Sequence, residues 1–248
     1  MRKILVIFSL FILSGCNEDS FYEKLDKESA KFIGKKYSAD PLGEGKGYDK
    51  DPIIRDDEFD CVTYVETSIA YARGGDVIKN KIKISYIDGI PDYLHRKHFW
   101  EFDQDKSGTI IDQTKSVGAG VEQISGTINK ERWFSKKNPP VKSLFKPVKM
   151  EITYIPSKHI PEIDFSLMPD ISIIGIIGYN EAINEKIGSD IFVYHVGFVL
   201  KTADGKIIVR HASERFGVVV EQSWNDFISG QMNLKNRIGI KLWRIKAS

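Results

Sequence analysis

Cys61 is the cysteine of this chain best placed to act as a nucleophile. It lies in Phe59-Asp60-Cys61-Val62-Thr63-Tyr64-Val65-Glu66, where a charged, irregular approach gives way to helical periodicity. Val62, Val65, Ile69 and Ala72 follow at three- and four-residue steps, and Gly74-Gly75 marks the end. Asp60 suits the N-cap, which puts the sulfur in the first turn. Unpaired N–H groups and the positive end of the helix dipole favour thiolate there, and thiolate is the attacking form. A free cysteine by itself is more often a small buried apolar residue. The assignment therefore depends on partners.

Two histidines supply them. His195 and His211 lie on apolar runs, Ile191 to Leu200 and Lys206 to His211, that flank the hairpin signal Thr202-Ala203-Asp204-Gly205. The loop decides whether they meet. A two-residue turn at Asp204-Gly205 pairs Ala203 with Lys206 and sends the imidazoles to opposite faces. A three-residue loop with Gly205 in the left-handed region pairs Thr202 with Lys206. His211 then lies opposite Gly197 and His195 opposite Ser213, one diagonal step of about 7 Å between alpha carbons. Asp-Gly suits either turn. A cysteine at a helix start, a histidine on a strand and a polar group behind it form a nucleophile, a base and an orienter.

The elements that must position these groups are legible in outline. Asp19 to Ile33 reads as an amphipathic helix with Phe21, Leu25, Ala30 and Ile33 near one stripe and Gly34 as its stop. A polar, glycine-containing loop runs from Lys35 to Glu58. Residues from about 79 to 147 are mixed in pattern and turn-rich, with Asn138-Pro139-Pro140 and Lys146-Pro147 as punctuation. They read as an elaboration that shapes a cleft. Beyond them Lys149 to Ile155, Ile171 to Ile177, the hairpin, Val218 to Glu221 and Ile238 to Ile245 read as strands. Helices first and an antiparallel sheet afterwards is the α+β layout.

The N-terminus has a separate function. Met1-Arg2-Lys3 is basic, and Ile4 to Ile12 is apolar but too short to span a bilayer as a stable helix. Leu13-Ser14-Gly15-Cys16 resembles a bacterial lipobox. Residues 1–15 are expected to be a signal peptide and Cys16 the lipid-modified first residue of one mature domain, 16–248, anchored by several acyl chains. Asn17 after the cysteine favours the periplasmic face of the outer membrane. The chain has 36 Lys+Arg and 34 Asp+Glu; losing Arg2 and Lys3 leaves no net charge, which argues against nucleic acid as a partner. With Cys16 acylated, Cys61 has no disulfide partner.

Taken together these segments resemble the NlpC-type, papain-like cell-wall cysteine hydrolases, in the branch of N-acetylmuramoyl-L-alanine amidase-like proteins. The residues that carry the resemblance are Phe32-Ile33-Gly34-Lys35-Lys36-Tyr37, the Cys61 segment, Arg96-Lys97-His98-Phe99-Trp100, His195-Val196-Gly197-Phe198-Val199 and Arg210-His211-Ala212-Ser213. The resemblance implies a papain-like fold with the nucleophile-bearing helix packed on an antiparallel sheet. It implies Cys61 as nucleophile, His195 as general base and His211 as the polar third member. The expected substrate is peptidoglycan or a muropeptide, cut between muramic acid and L-alanine or within the stem peptide. Arg96, His98 and Ser213 are expected to line the cleft, the first two against a stem-peptide carboxylate, and no cofactor or metal is required. Two departures are visible: Pro169 precedes Asp170 where the family usually has glycine, and Asp190 stands further from His195 than usual.

Other signals are weaker. Asp103-Gln104-Asp105-Lys106-Ser107-Gly108 begins like a calcium loop, but Thr114 occupies the position of the bidentate glutamate, so a turn is expected. Zinc-ligand spacing, Gly-x-Ser-x-Gly and a phosphate loop are missing from the sequence. His95 and His159 receive no role, and Trp100, Trp224 and Trp243 are expected to pack. Two other functions fit the same residues: a non-catalytic peptidoglycan-binding lipoprotein on this fold, and a related thiol acyltransferase.

Overall fold

The apolar runs of the C-terminal third pair into a single sheet in the computed structural model, which describes residues 15–104, 108–143 and 145–247. The expected leader at 1–15 lies outside these residues except for Gly15, and so does the side chain of Cys16. Strand β6 (Ile171–Gly178) is buried over its whole length. It lies between β7 (Val193–Lys201) and β10 (Arg237–Ile245). Because both faces are covered, its sequence is a continuous apolar run rather than an alternation.

Beyond β7 come β8 (Ile207–Ser213), β9 (Val218–Ser223), β1 (Lys36–Tyr37) and β2 (Glu58–Phe59). Beyond β10 come β5 (Val148–Pro156) and β4 (Glu122–Ile128), and the short β3 (Ile110–Asp112) pairs with β10. Neighbours run antiparallel except the parallel pair β1 and β2. The stretch at about 79–147 is thus partly continuous with the sheet, since β4 pairs along its full length with β5.

Three helices precede the long strands: α1 (Gly15–Ala30), α2 (Cys61–Ala72) and α3 (Val77–Ser85). The first ends earlier than its periodicity suggests, because the sheet edge claims the next residues. Gly34 N–H donates to Val219 O at 2.8 Å, and Val219 N–H to Lys35 O at 2.8 Å. Among the described residues no helix is long and apolar enough to cross a membrane.

Helix α2 is central. Tyr64, Val65, Ile69 and Ala70 are buried among Phe32, Phe59, Val196 and Phe198, and α2 packs against α1, α3, β7 and β8. A buried ion pair enters this core. Glu66 accepts from Lys81 Nζ (2.6 Å) and Ser85 Oγ (2.6 Å) through one carboxylate oxygen and from Gln104 Nε2 (2.7 Å) through the other. A buried carboxylate survives only when paired and hydrogen-bonded, which this one is on both oxygens. Arg210 of β8 ties α1 to the sheet, donating to Ser29 Oγ (2.6 Å), Asp26 O (2.9 Å) and Glu221 Oε1 (2.8 Å).

Candidate active site

Asp60 caps α2 as its sequence suggests, and Thr63 completes the cap. Asp60 Oδ1 accepts from Thr63 N–H (2.7 Å), while Thr63 Oγ1 accepts from Asp60 N–H (2.9 Å). This reciprocal pair is the capping-box arrangement, with threonine in the place of the usual glutamate. Cys61 is therefore held in the first turn, and it is only partly buried.

Its thiol corrects the expectation of a ready thiolate. Burial pushes it from 9.0 up to about 12, with the Asp60 carboxylate as the second cause; N–H groups of Val196, Val62 and Cys61 itself oppose the shift without winning. Magnitudes explain the outcome. A helix terminus is worth about 0.3–1 kcal/mol, whereas one pKa unit is about 1.4 kcal/mol, so a few units of desolvation outweigh it. With the pKa raised, thiolate is scarce at neutral pH and increases only as pH climbs. Iodoacetamide should alkylate Cys61 slowly at about pH 7, the rate rising roughly tenfold per pH unit past pH 9. A rate already at plateau near neutrality would contradict this.

The hairpin adopts the three-residue loop. Thr202 N–H donates to Lys206 O (2.9 Å), Gly205 has φ of +80°, and Lys201 pairs with Ile207. That register faces Gly197 toward His211, and a Cβ on residue 197 would come within 2.8 Å of the His211 Cβ. Only glycine leaves room for the second imidazole. His195 Nε2 lies 2.8 Å from His211 Nδ1, with the rings nearly perpendicular at 88°.

A further partner, not read from sequence, completes the relay: His211 Nε2 lies 2.9 Å from Gln222 Oε1 on β9. An amide oxygen only accepts, so His211 carries its proton on Nε2 and its Nδ1 accepts from His195 Nε2–H. Neutral His195 then has a bare Nδ1. Burial, with the charges of His211 and Arg237 adding to it, holds His195 well below the usual imidazole range, and burial lowers His211 as well. Phe227, on α4 (Trp224–Met232), packs against both rings at 6.1 and 4.9 Å.

The Cys61 helix packs on the strand that carries His195. The β7–β8 ladder runs from Lys201–Ile207 to Phe198–Arg210 and ends there. Past that point the backbone of Val196, the residue after His195, is near enough to Cys61 to favour its thiolate. Tyr37, given no role from the sequence, is near enough that Cys61 and Asp60 add to the burial pushing its phenol up to about 12.

The residues expected to line the cleft fare differently. Arg96 and His98 border a cavity of about 150 Å³ with Asp60, Thr63, Glu66 and Lys81. Arg96 is already engaged: it donates to Glu44 Oε1 (2.7 Å), Asp49 Oδ2 (2.6 Å) and Asp40 Oδ1 (3.2 Å), stapling the 40–51 loop. His98 Nε2 lies 2.8 Å from Tyr93 O, and its ring sits among Tyr93, Trp133 and Phe134. Arg96 thus already faces three carboxylates of the chain itself, and His98 is packed in an aromatic cluster. Ser213 is buried at the end of β8, its Oγ 3.4 Å from Phe216 N.

Asp190 braces β4 rather than the histidines, accepting from Thr127 N–H (2.6 Å) and Asn184 Nδ2 (3.0 Å). Asp103, first residue of the calcium-like stretch, is buried and paired with Lys130 Nζ (2.7 Å); residues 105–107 lie outside the described set. Among the described residues no cluster of three or more His, Cys, Asp or Glu is arranged to hold a metal ion.

Comparison with known proteins follows from this geometry. The fold is similar to that of a Legionella pneumophila protein of family DUF1460, at 24% identity and TM-score 0.82, covering 93% of this chain and 90% of that one. It is also similar to an N-acetylmuramoyl-L-alanine amidase from Bacteroides uniformis (19% identity, TM-score 0.66, 91% and 99% covered). A Bacteroides fragilis protein provisionally called a xylanase shares the fold as well (20%, 0.63, 88% and 100%). At such identities the likeness speaks for the fold alone. No curated protein matches the chain. The family model described as AmiA-like, N-acetylmuramoyl-L-alanine amidase-like, matches residues 27–234, a span that holds Cys61, His195, His211 and Gln222, and this chain belongs to that family.

Proposed function

We propose that this chain is a cysteine-dependent amidase of peptidoglycan on an NlpC-type, papain-like fold, cutting the muramoyl–L-alanine bond or an amide within the stem peptide. The observation that carries the proposal is the relay His195–His211–Gln222, which leaves His195 Nδ1 without a proton on the strand against which the Cys61 helix packs. Family membership supports the substrate class.

In this reading Cys61 attacks from the neutral thiol. Its proton passes to His195 Nδ1 as the sulfur–carbon bond forms, so the elevated thiol is compatible with turnover. The Cys61 N–H is one oxyanion donor, and the Tyr37 phenol, which stays protonated, is a second. The imidazolium then gives its proton to the departing amine nitrogen as the carbon–nitrogen bond breaks. Water, deprotonated by His195, clears the thioester. His211 and Gln222 hold the His195 tautomer throughout.

The elevated thiol also favours a second reading, in which the chain binds the wall without cutting it. Purified muropeptides incubated with the protein from Asn17 onward under reducing conditions, with products read by mass spectrometry, separate the two. Free stem peptide or a shortened stem supports the amidase; binding without any product supports the alternative. We further propose that Cys16 is acylated and anchors the domain in the cell envelope. Incorporation of labelled palmitate that persists in Cys16→Ala would sink that part.

A further inference from the structure

We propose that Arg237 is a specificity residue that receives a free carboxylate of the peptide joined at the scissile amide. This rests on the amidase reading above and narrows its substrate to acidic stems.

The argument starts from where arginine charge is already spent. Arg96 has three carboxylate partners, Arg210 is paired with Glu221 and Asp26, and Arg55 with Asp57 and Glu58. Arg237 and Arg73 differ: among the described residues neither makes an ion pair, and each has a buried Nε without a hydrogen-bond partner. Arg73 sits at the C-terminal end of α2, away from Cys61, whereas Arg237 is the one whose charge acts on His195. Leaving the buried Nε–H without a hydrogen bond is unfavourable, and a ligand carboxylate bridging Nε and a terminal nitrogen would supply one.

Its position points to the same chemistry. Arg237 opens β10, at the end of the sheet where β7 begins. Its guanidinium carbon is 4.2 Å from the centroid of the Tyr194 ring, the residue before His195. The register of β6 with β7 shifts between Val193 and His195, leaving Tyr194 as an extra residue in the strand; such a bulge re-aims side chains. Arg237 pairs across with Gly178, where an added Cβ would come within 3.0 Å of Tyr194 Cδ2. Glycine there keeps open the lane by which the arginine crosses β6 to the tyrosine.

β10 lies two strands from β7, about 10 Å, and the long side chain closes much of that gap. The charge is near enough to His195 to contribute to its low basicity. A carboxylate held there stands roughly one or two residues from the amide at His195, at about 3.5 Å per residue. A stem whose second residue is glutamate linked through its side chain presents a free α-carboxylate at that distance.

The test uses two synthetic muramyl tripeptides that differ only in whether the second residue carries a free α-carboxylate or its carboxamide. Wild-type protein should prefer the acid by roughly 10- to 100-fold in kcat/KM, mostly through KM. Arg237→Gln should erase the preference, and Arg237→Lys should restore part of it. The same two peptides are titrated calorimetrically into Cys61→Ala protein with and without Arg237→Gln, so that a failure of the cleavage chemistry leaves the question decidable. Tighter binding of the acid, lost with Arg237→Gln, supports the proposal even if nothing is cleaved. Equal handling of acid and amide by wild type overturns it, as does an undiminished preference in Arg237→Gln or no binding of either peptide. Thermal melts establish that each variant is folded; if Arg237→Gln is not, Arg237→Lys decides, an undiminished preference in it overturning the proposal.

Discussion

Cys61→Ala is expected to reduce muropeptide hydrolysis by at least about 10³-fold while leaving the fold and muropeptide binding in place. Removing a nucleophile that acts together with its base abolishes nearly all the covalent route, and what remains comes from binding and oxyanion stabilisation. The fold should tolerate the change because the helix start is held by Asp60 and Thr63, not by the sulfur. Cys61 is also only partly buried, so the lost contacts amount to about 1 kcal/mol or less. The measurement is a time course of product formation beside a thermal melt of the same preparation. Cleavage that persists in the folded variant would remove the thioester mechanism.

Glu66→Ala should unfold the protein more readily than any surface change, by about 3–5 kcal/mol. The carboxylate takes hydrogen bonds from Lys81, Ser85 and Gln104 inside the helical layer. Its loss strands the Lys81 ammonium, which is 2% exposed, with no water to replace the partner. Removing the charge from both sides is a different matter: Glu66→Met with Lys81→Met should recover much of the stability, since the pair repays little beyond its own desolvation. Urea denaturation of the single and double variants reads this directly. A single variant within about 1 kcal/mol of wild type would mean the carboxylate is not sealed as the geometry has it. Because Glu66 lies on the helix that carries Cys61, a folded but loosened variant should also lose activity.

Much of the candidate site was legible because it is written in local spacing. Asp60 before an apolar three- and four-step pattern specifies a helix start at Cys61, whatever the rest of the chain does. Gly205 narrows the hairpin to two loops, and the alternation of each strand then fixes which faces the histidines share. The choice between those loops was not local. It was made by packing: the observed register brings the two imidazoles together beneath Phe227, and Gly197 leaves space for it.

Other features depended on residues far apart in the chain. Gln222 has no motif that marks it, and Tyr37 sits in a recognisable segment that gives it no role; the importance of both comes from what β8 and α2 bring beside them. Arg96 was expected in the cleft from its neighbours in sequence, and only the fold shows that the distant Glu44 and Asp49 pair with it. Arg237 carried no signal at all until its lack of a partner was visible.

By itself, the sequence determined the helix that bears Cys61, the run of strands and the two histidines of the hairpin, because helix caps and side-chain alternation act over a few residues. Tertiary structure decided the charge state of the thiol, the tautomer of His195 and which arginines find carboxylate partners. Those depend on desolvation and on hydrogen-bond partners drawn from separate strands, and the chain acquires both only when it closes on itself.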